Sequence, residues 1–422
     1  MRRTPLIVYT LSFAAIHATT RPAHGTEDDV FSELVQDLQE RPPAPSREPA
    51  STAPPAKQAP VEPQQYPQAA TTAAAMNPEM SLVMDFGLAW FSENEHLQTG
   101  AHDPTRNGFN LQQLELSLRA PVDPYFRLDA YLVFELDGVE LEEAYGTTLD
   151  LPGGLQGRFG QFLTRFGRIN ATHPHSWDFA DQPFALGRVF GGEANRGLGV
   201  ELSWLVPVPW FAEAVVSMTS AVGAESNRSF LGDQDKDVRG PQDLALVTAL
   251  KQFFDLSDAW SLLWGVSGAF GPNSAATERR TAIYGTDMFL KYRPLSGSRR
   301  TELRLQTEVF HRRREFAGDV LWDLSGYSQL ALRFARRWET AGRYEYGSTP
   351  FSLKGGATMD PLDPEWTDAR HRMSVSLSHL PTEFSRLRVQ SAVDIPDFVA
   401  EPIYSAFLSA EIAVGAHGAH AY

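Results

Sequence analysis

From position 77 onward the chain is built of short runs in which every second residue is apolar. Met80, Leu82, Met84, Phe86, Leu88 and Trp90 share one parity, and Ser81, Asp85, Gly87 and Ala89 occupy the other, with Val83 the one apolar exception. The same alternation returns in Leu114, Leu116 and Leu118; in Phe126, Leu128, Ala130, Leu132 and Phe134; and in Leu198, Val200, Leu202 and Trp204. A period of two is that of a strand with one apolar face, because successive side chains point to opposite sides of a sheet. About sixteen such runs are expected, opening near Met80, Phe109, Tyr125, Glu140, Leu155, Arg196, Val208, Asp243, Asp258, Arg279, Arg299, Leu321, Thr340, Asp368, Phe384 and Ile403. Each is about the length that crosses a bilayer when tilted.

Alternation alone suits a soluble β-sandwich equally well. Three features favour a barrel. Aromatics gather near the ends of the runs, as in Trp90-Phe91, Trp204, Trp210-Phe211, Phe253-Phe254, Trp260, Tyr292, Trp338, Tyr344 and Tyr346, where the two water–lipid boundaries would lie. Short connections such as VPVPW alternate with long polar ones around 219–242 and 348–368. The last run keeps Leu408, Ala410, Ile412, Val414 and Ala416 in phase and ends on Tyr422, which resembles the signal read by the barrel-assembly machinery, although His420 stands where an apolar residue is more usual. The fold class expected is therefore all-β: a closed antiparallel transmembrane β-barrel of about 16 strands over 77–422, in contact with outer-membrane lipid.

The residues before it are of another kind. Arg2 and Arg3, an apolar run and Ala23-His24-Gly25 have the order of a signal peptide over 1–25, so export is expected. Over 26–40, Val30, Phe31, Leu34 and Leu38 sit at helical spacing and predict a short amphipathic helix. Positions 41–76 are too rich in proline and alanine to bury a core and read as a linker. No later window offers roughly 18 uncharged apolar residues, which excludes helical spans.

Composition narrows the chemistry. The absence of cysteine removes disulfides, thiolate catalysis and cysteine zinc sites. A formal net charge of −15 argues against nucleic acid as a partner, which demands a basic surface. No Ser-His-Asp arrangement, phosphate loop or HExxH occurs, and no cofactor is implied. Glu142 and Glu143 are adjacent, so in a regular strand they face opposite ways, a poor geometry for acid–base work; the chain is not expected to be an enzyme. His173, His175 and Asp178 in THPHSWD are weak metal candidates, since Pro174 separates the imidazoles and the motif holds no further strong ligand; the metal expectation is none.

The stretch LEEAYGTTLDLPGGLQGRFGQFLTRFGRIN, 141–170, resembles the phosphate-selective porin O and P family of bacterial outer-membrane β-barrels. Ala144-Tyr145, the turn Pro152-Gly153-Gly154, Gly160-Gln161-Phe162, Phe166-Gly167 and the later Arg196-Gly197-Leu198-Gly199-Val200 carry the match. A looser likeness runs through 109–134 and 284–294. Arg165 departs from the family, which has proline before Phe-Gly, and lysine is scarce, five in all, where phosphate-selective members are lysine-rich. The resemblance implies a pore, a homotrimer, and a segment 169–197 that folds inward as a constriction, with Gly160, Gln161, Phe162, Arg165, Phe166 and Gly167 as its hinge. The competing reading is an external loop packed on itself.

Arg304, Arg333, Arg337, Arg343, Arg370, Arg372, Arg386 and Arg388, with Lys291 and Arg293, fall on the parity opposite most apolar residues of their runs, so in a closed barrel they face the lumen. Such rows either lower the barrier for anions or, with Glu302, Glu308, Asp287 and Glu345 interspersed, neutralise and hydrate the wall. The expected function is an outer-membrane porin-like channel passing small hydrophilic solutes, with a phosphate-like anion preference as one version. The alternatives are an atypical TonB-dependent receptor for metal or siderophore uptake, and a non-conducting scaffold or adhesion barrel.

Overall fold

In hydrocarbon every backbone N–H and C=O must find its partner within the protein, so a sheet can span only if its first and last strands pair. They do so in the computed structural model, which describes residues 78–223, 225–234, 238–275, 278–294, 301–354, 359–364 and 366–415. The strands are β1 (Glu79–Phe91), β2 (Gly108–Pro121), β3 (Phe126–Phe134), β4 (Val139–Thr148), β5 (Leu155–Leu163), β6 (Arg196–Leu205), β7 (Phe211–Ser220), β8 (Leu244–Asp255), β9 (Trp260–Pro272), β10 (Arg280–Tyr292), β11 (Glu302–Glu315), β12 (Val320–Ala335), β13 (Trp338–Gly347), β14 (Phe351–Ser352), β15 (Arg370–Thr382), β16 (Ser385–Pro396) and β17 (Ile403–Gly415). β14 is a two-residue strand on the edge of β12, and β13 pairs directly with β15. The other sixteen form the wall, each antiparallel to its sequence neighbours, and β1 closes it by pairing with both β2 and β17. The fold is a closed sixteen-stranded antiparallel barrel, and among the described residues no helix is long and apolar enough to cross a membrane. The signal peptide, the 26–40 helix and the 41–76 linker expected from the sequence lie outside the described residues, as do Ala416, His420 and Tyr422.

The alternation sets inside from outside. In β1, Met80, Met84, Phe86, Leu88 and Trp90 are exposed on the outer face, while Ser81, Val83, Gly87, Ala89 and Phe91 are buried. In β17, Tyr404, Leu408, Ile412 and Val414 point out and Ile403, Ser405, Phe407 and Ala413 point in. The apolar side chains are thus the exposed ones, as a wall solvated by lipid requires.

The interior is not the uniformly polar lumen that alternation suggests. Phe166, Phe184, Leu186, Val189 and Phe190 from the β5–β6 connection form an apolar cluster with Val247, Ile283, Phe310 and Tyr327 of the wall and with Phe230, Leu231 and Trp366 of two other connections. An inserted segment needs apolar contacts of its own, and the wall supplies them at inward positions of β8, β10, β11 and β12.

Leu408 lies near the middle of β17 on the outer face, opposite Val389. Leu408→Arg is expected to destabilise the barrel in bilayers by about 2–4 kcal/mol, read from denaturant unfolding in lipid vesicles.

Candidate constriction inside the barrel

β5 leaves the wall through a set of close backbone approaches. Gly160 has φ +131°, and a Cβ there would fall 2.2 Å from the Ala144 carbonyl oxygen, so no other residue fits without displacing β4. Gln161 Nε2 donates to the carbonyls of Leu141 (2.6 Å) and Glu142 (3.1 Å). Phe162 and Phe166 are fully buried, and Phe166 packs edge-on against Phe190 and stacks on Phe310. Gly167 has φ +58°, and a Cβ would lie 2.3 Å from Glu308 Oε2. Arg165 donates from Nε to Glu201 Oε1 (2.8 Å) and from Nη1 to Glu213 Oε1 (2.6 Å), pinning the segment's start to β6 and β7.

Residues 164–195 then run inside the wall and return to β6. Their neck is locked by amides: Thr164 N–H donates to the Asn195 carbonyl, Asn170 Nδ2 donates to the carbonyls of Thr164 (2.8 Å) and Asn195 (3.1 Å), and Asn195 N–H donates to Asn170 Oδ1 (2.7 Å). Beyond the neck the backbone has no strand partner, and wall side chains take that place. Glu308 of β11 accepts the N–H groups of Arg168 (2.9 Å) and Ile169 (2.8 Å), and the Tyr327 hydroxyl donates to it (2.5 Å). Gln390 accepts Ala180 N–H (2.7 Å), and Glu345 accepts Phe184 N–H (2.6 Å) at the start of the short helix Phe184–Phe190. Arg386 donates to the carbonyls of Trp177 (2.8 Å) and His175 (2.6 Å), and Arg388 to that of Trp177 (2.8 Å).

Carboxylates of the segment complete the attachment. Asp178 pairs with Arg304 (2.7 Å) and accepts from Gln329 (3.0 Å). Asp181 accepts from Arg343 (2.6 Å), Arg372 (2.5 Å) and Gln390 (2.8 Å) with no solvent exposure. Burial pushes the Asp181 carboxyl up, but the Arg372 and Arg343 guanidinia outweigh burial and hold it below the usual carboxylate range.

Most of the expected arginines face inward and are engaged by carboxylates or by carbonyls of the segment. Arg343, Arg370, Arg372 and Arg388 are at most 5% exposed. Arg370 grips Asp394 (2.5 Å), Arg386 pairs with Glu411, and Arg333 lies 3.3 Å from Glu339. Lys291 sits 3.7 Å from Glu302. Arg337 does not belong with them: it lies in the turn between β12 and β13, exposed, because β12 ends at Ala335 before the expected parity reaches it. Arg293 lies just past β10, where its N–H donates to the Ala259 carbonyl, and with Lys291 it borders a cavity of about 690 Å³ between the ends of β8, β9 and β10.

The THPHSWD motif divides. Asp178 goes to Arg304, while His173 and His175 turn to the opposite wall and meet Glu115 of β2. The expectation that Glu142 and Glu143 face opposite ways is overturned: β4 is bulged there, so both are buried and both reach His173. The sequence carried a trace of this, since the outward residues Leu141 and Ala144 stand three apart, breaking the period of two. Glu308, Asp181, Asn170, Asn195 and Gln390 were not singled out from the sequence as anchors. Inward parity marked Glu308, but its partners lie on a distant segment.

A closed sixteen-stranded barrel with an inserted β5–β6 connection is the fold of outer-membrane porins. Solved porin structures overlay on it: the outer membrane channel DcaP of Acinetobacter baumannii (TM-score 0.55, 13% identity, 81% of this chain and 99% of that one), OprB of Pseudomonas putida (0.53, 9%, 81% and 95%) and the anion-selective porin from Comamonas acidovorans (0.51, 11%, 80% and 99%). At such identities the likeness concerns the fold. No family model matches the chain. It is 34% identical over 355 residues, 75% of this chain and 73% of the other, to an uncharacterized protein of Aquifex aeolicus, and it belongs to the same family as that protein.

Asp181→Asn removes the carboxylate that two buried guanidinia share, of which Arg343 alone keeps a second carboxylate partner in Glu345 at 2.8 Å, and is expected to loosen the segment at a cost of about 3–5 kcal/mol, read as faster proteolysis within 164–195 in the folded barrel. Because the Asp181 pKa is depressed in the fold, its contribution is present at neutral pH, persists above the ordinary aspartate value of 3.8 and is lost as acid protonates it. Wild type is expected to gain the same protease sensitivity only in strong acid, as measured with an acid-active protease.

Proposed function

We propose that the chain is a channel of the bacterial outer membrane through which small hydrophilic solutes diffuse, with segment 164–195 setting the size limit. The observation that carries this reading is the segment itself, held inside a sixteen-stranded wall by side chains of β11, β12, β13, β15 and β16. A TonB-dependent receptor calls for a wall of about 22 strands, which this barrel does not have.

The finer reading, a preference for anions, moves away from the deep arginines, which are committed to the segment. It rests instead on the mouth at the short-turn end. There Arg119 and Arg127, each about one-third to two-fifths exposed, share the carboxylate of Asp129 at 2.7 and 2.8 Å, so two guanidinia reach solvent beside one buried carboxylate. Guanidinia that reach solvent at a low-dielectric mouth attract anions and bias their passage. Phosphate as the particular solute rests on the likeness of 141–170 alone.

The apolar cluster inside the wall favours one rival, a barrel that does not conduct. Purified protein in planar bilayers is expected to give discrete conductance steps, and their absence would establish the rival. In a salt gradient the reversal potential is expected to show anion preference, reduced or inverted in the Arg119→Glu/Arg127→Glu double variant.

A further inference from the structure

Where the inserted segment passes β2 and β4, two imidazoles and three carboxylates converge. The bulge in β4 is the device: Tyr131 of β3 faces Glu143, Leu132 faces Leu141, and Glu142 is the additional residue, so two consecutive glutamates reach the same side. His173 enters between them. Its Nδ1 lies 3.1 Å from Glu142 Oε2 and 3.2 Å from Glu115 Oε2, and its Nε2 lies 3.1 Å from Glu143 Oε2. His175 Nδ1 lies 3.3 Å from the same Glu115 oxygen. Tyr131 stacks on the His173 ring at 4.6 Å and fixes its plane.

Two observations go beyond clustering. Glu115 is 2% exposed, and its Oε2, facing two imidazole nitrogens, makes no hydrogen bond of acceptable geometry. A buried carboxylate oxygen with imidazoles at ion-pair distance but no well-aligned donor is incompletely satisfied. The spacings also fit an occupant. Ligand atoms about 2.0–2.1 Å from a tetrahedral zinc ion stand about 3.3 Å from one another; His173 Nδ1 lies 3.1 Å from Glu142 Oε2 and 3.2 Å from Glu115 Oε2, and one ligand atom from each of the three residues lies within 4.8 Å of the other two.

We propose that Glu115, Glu142 and His173 bind a divalent transition-metal cation of the zinc type at the junction of the inserted segment with β2 and β4, leaving the fourth position to water. Mixed imidazole and carboxylate donors suit zinc, cobalt or nickel rather than calcium or magnesium, which take oxygen alone. Glu143 serves as the outer partner: a ligating histidine ordinarily donates its other ring N–H to a carboxylate, and Nε2 faces one here. The ion ties His173 of the segment to β2 and β4, next to the point where Arg386 holds the His175 carbonyl. The proposal does not depend on whether the barrel conducts.

The test uses the full folded chain in detergent micelles, titrated with zinc alone after treatment with a chelator, and with cobalt(II) for its visible spectrum. One equivalent of zinc is expected per chain, with the intense visible absorption of tetrahedral cobalt. Glu115→Gln and His173→Gln abolish this uptake, Glu143→Gln weakens it about 10- to 100-fold, and His371→Gln, away from the cluster, leaves it unchanged. Heat-modifiable gel migration verifies that each variant is a folded barrel. Should a variant fail to fold, the wild-type cobalt spectrum still decides, since octahedral cobalt or no uptake overturns the proposal. Stoichiometric zinc that survives Glu115→Gln and His173→Gln overturns it too, as does a segment released by pH alone without metal uptake, which would make the cluster an ion-pair clamp.

Discussion

The backbone of residues 164–195 has no sheet to join, and everything inside the barrel follows from how that need is met. A strand in the wall satisfies its amides through its neighbours, but a segment inside the wall, shielded from bulk water, must find other acceptors or forfeit the desolvation cost of each group. Glu308 receives two consecutive N–H groups, Gln390 and Glu345 receive others, and Arg386 and Arg388 cover carbonyls on the far side. The wall is charged where the segment is bare, so its polar face serves as a template for the segment as much as a lining for water.

This explains why so many ionised groups are buried in a barrel of net acidic charge. A buried ion pair contributes little beyond its own desolvation, yet removing one partner is severely destabilising. The pairs therefore specify position more than they add stability: Asp181 can sit only where Arg343, Arg372 and Gln390 converge, and Asp178 only within reach of Arg304 and Gln329. The apolar cluster around Phe166, Phe184 and Phe190 supplies burial, and the charges choose among the ways of achieving it.

The wall was legible in the sequence because lipid on one side and a polar interior on the other impose a period of two on every strand. Starts at Leu155, Arg196 and Ile403 coincide with the observed ones, and most others fall within two residues. Val208 was three residues early, since the connection before Phe211 continues the apolar pattern without pairing. The close approaches at Gly160 and Gly167 were visible as glycines among aromatics. What parity could not convey was partnership. It placed Arg343 and Arg372 inside but not against Asp181, it carried Arg337 into a turn, and it divided Glu142 from Glu143 where a bulge unites them.

The anchors of the inserted segment also fix an order of events. Arg168 and Ile169 are held by a residue about 140 positions later, Asp181 by one 191 positions later, and Trp177 by Arg386 and Arg388, 209 and 211 positions later. Contacts so distant along the chain cannot form until the strands that carry them exist. When β5 and β6 pair, the segment between them has its partners on β2, β4 and β6, and it acquires those on β11 to β16 only as these join the wall. Insertion of the segment is therefore finished only with the barrel, and a wall left short on its C-terminal side would not merely be open at a seam but would hold its segment only by earlier contacts such as those to β2, β4 and β6.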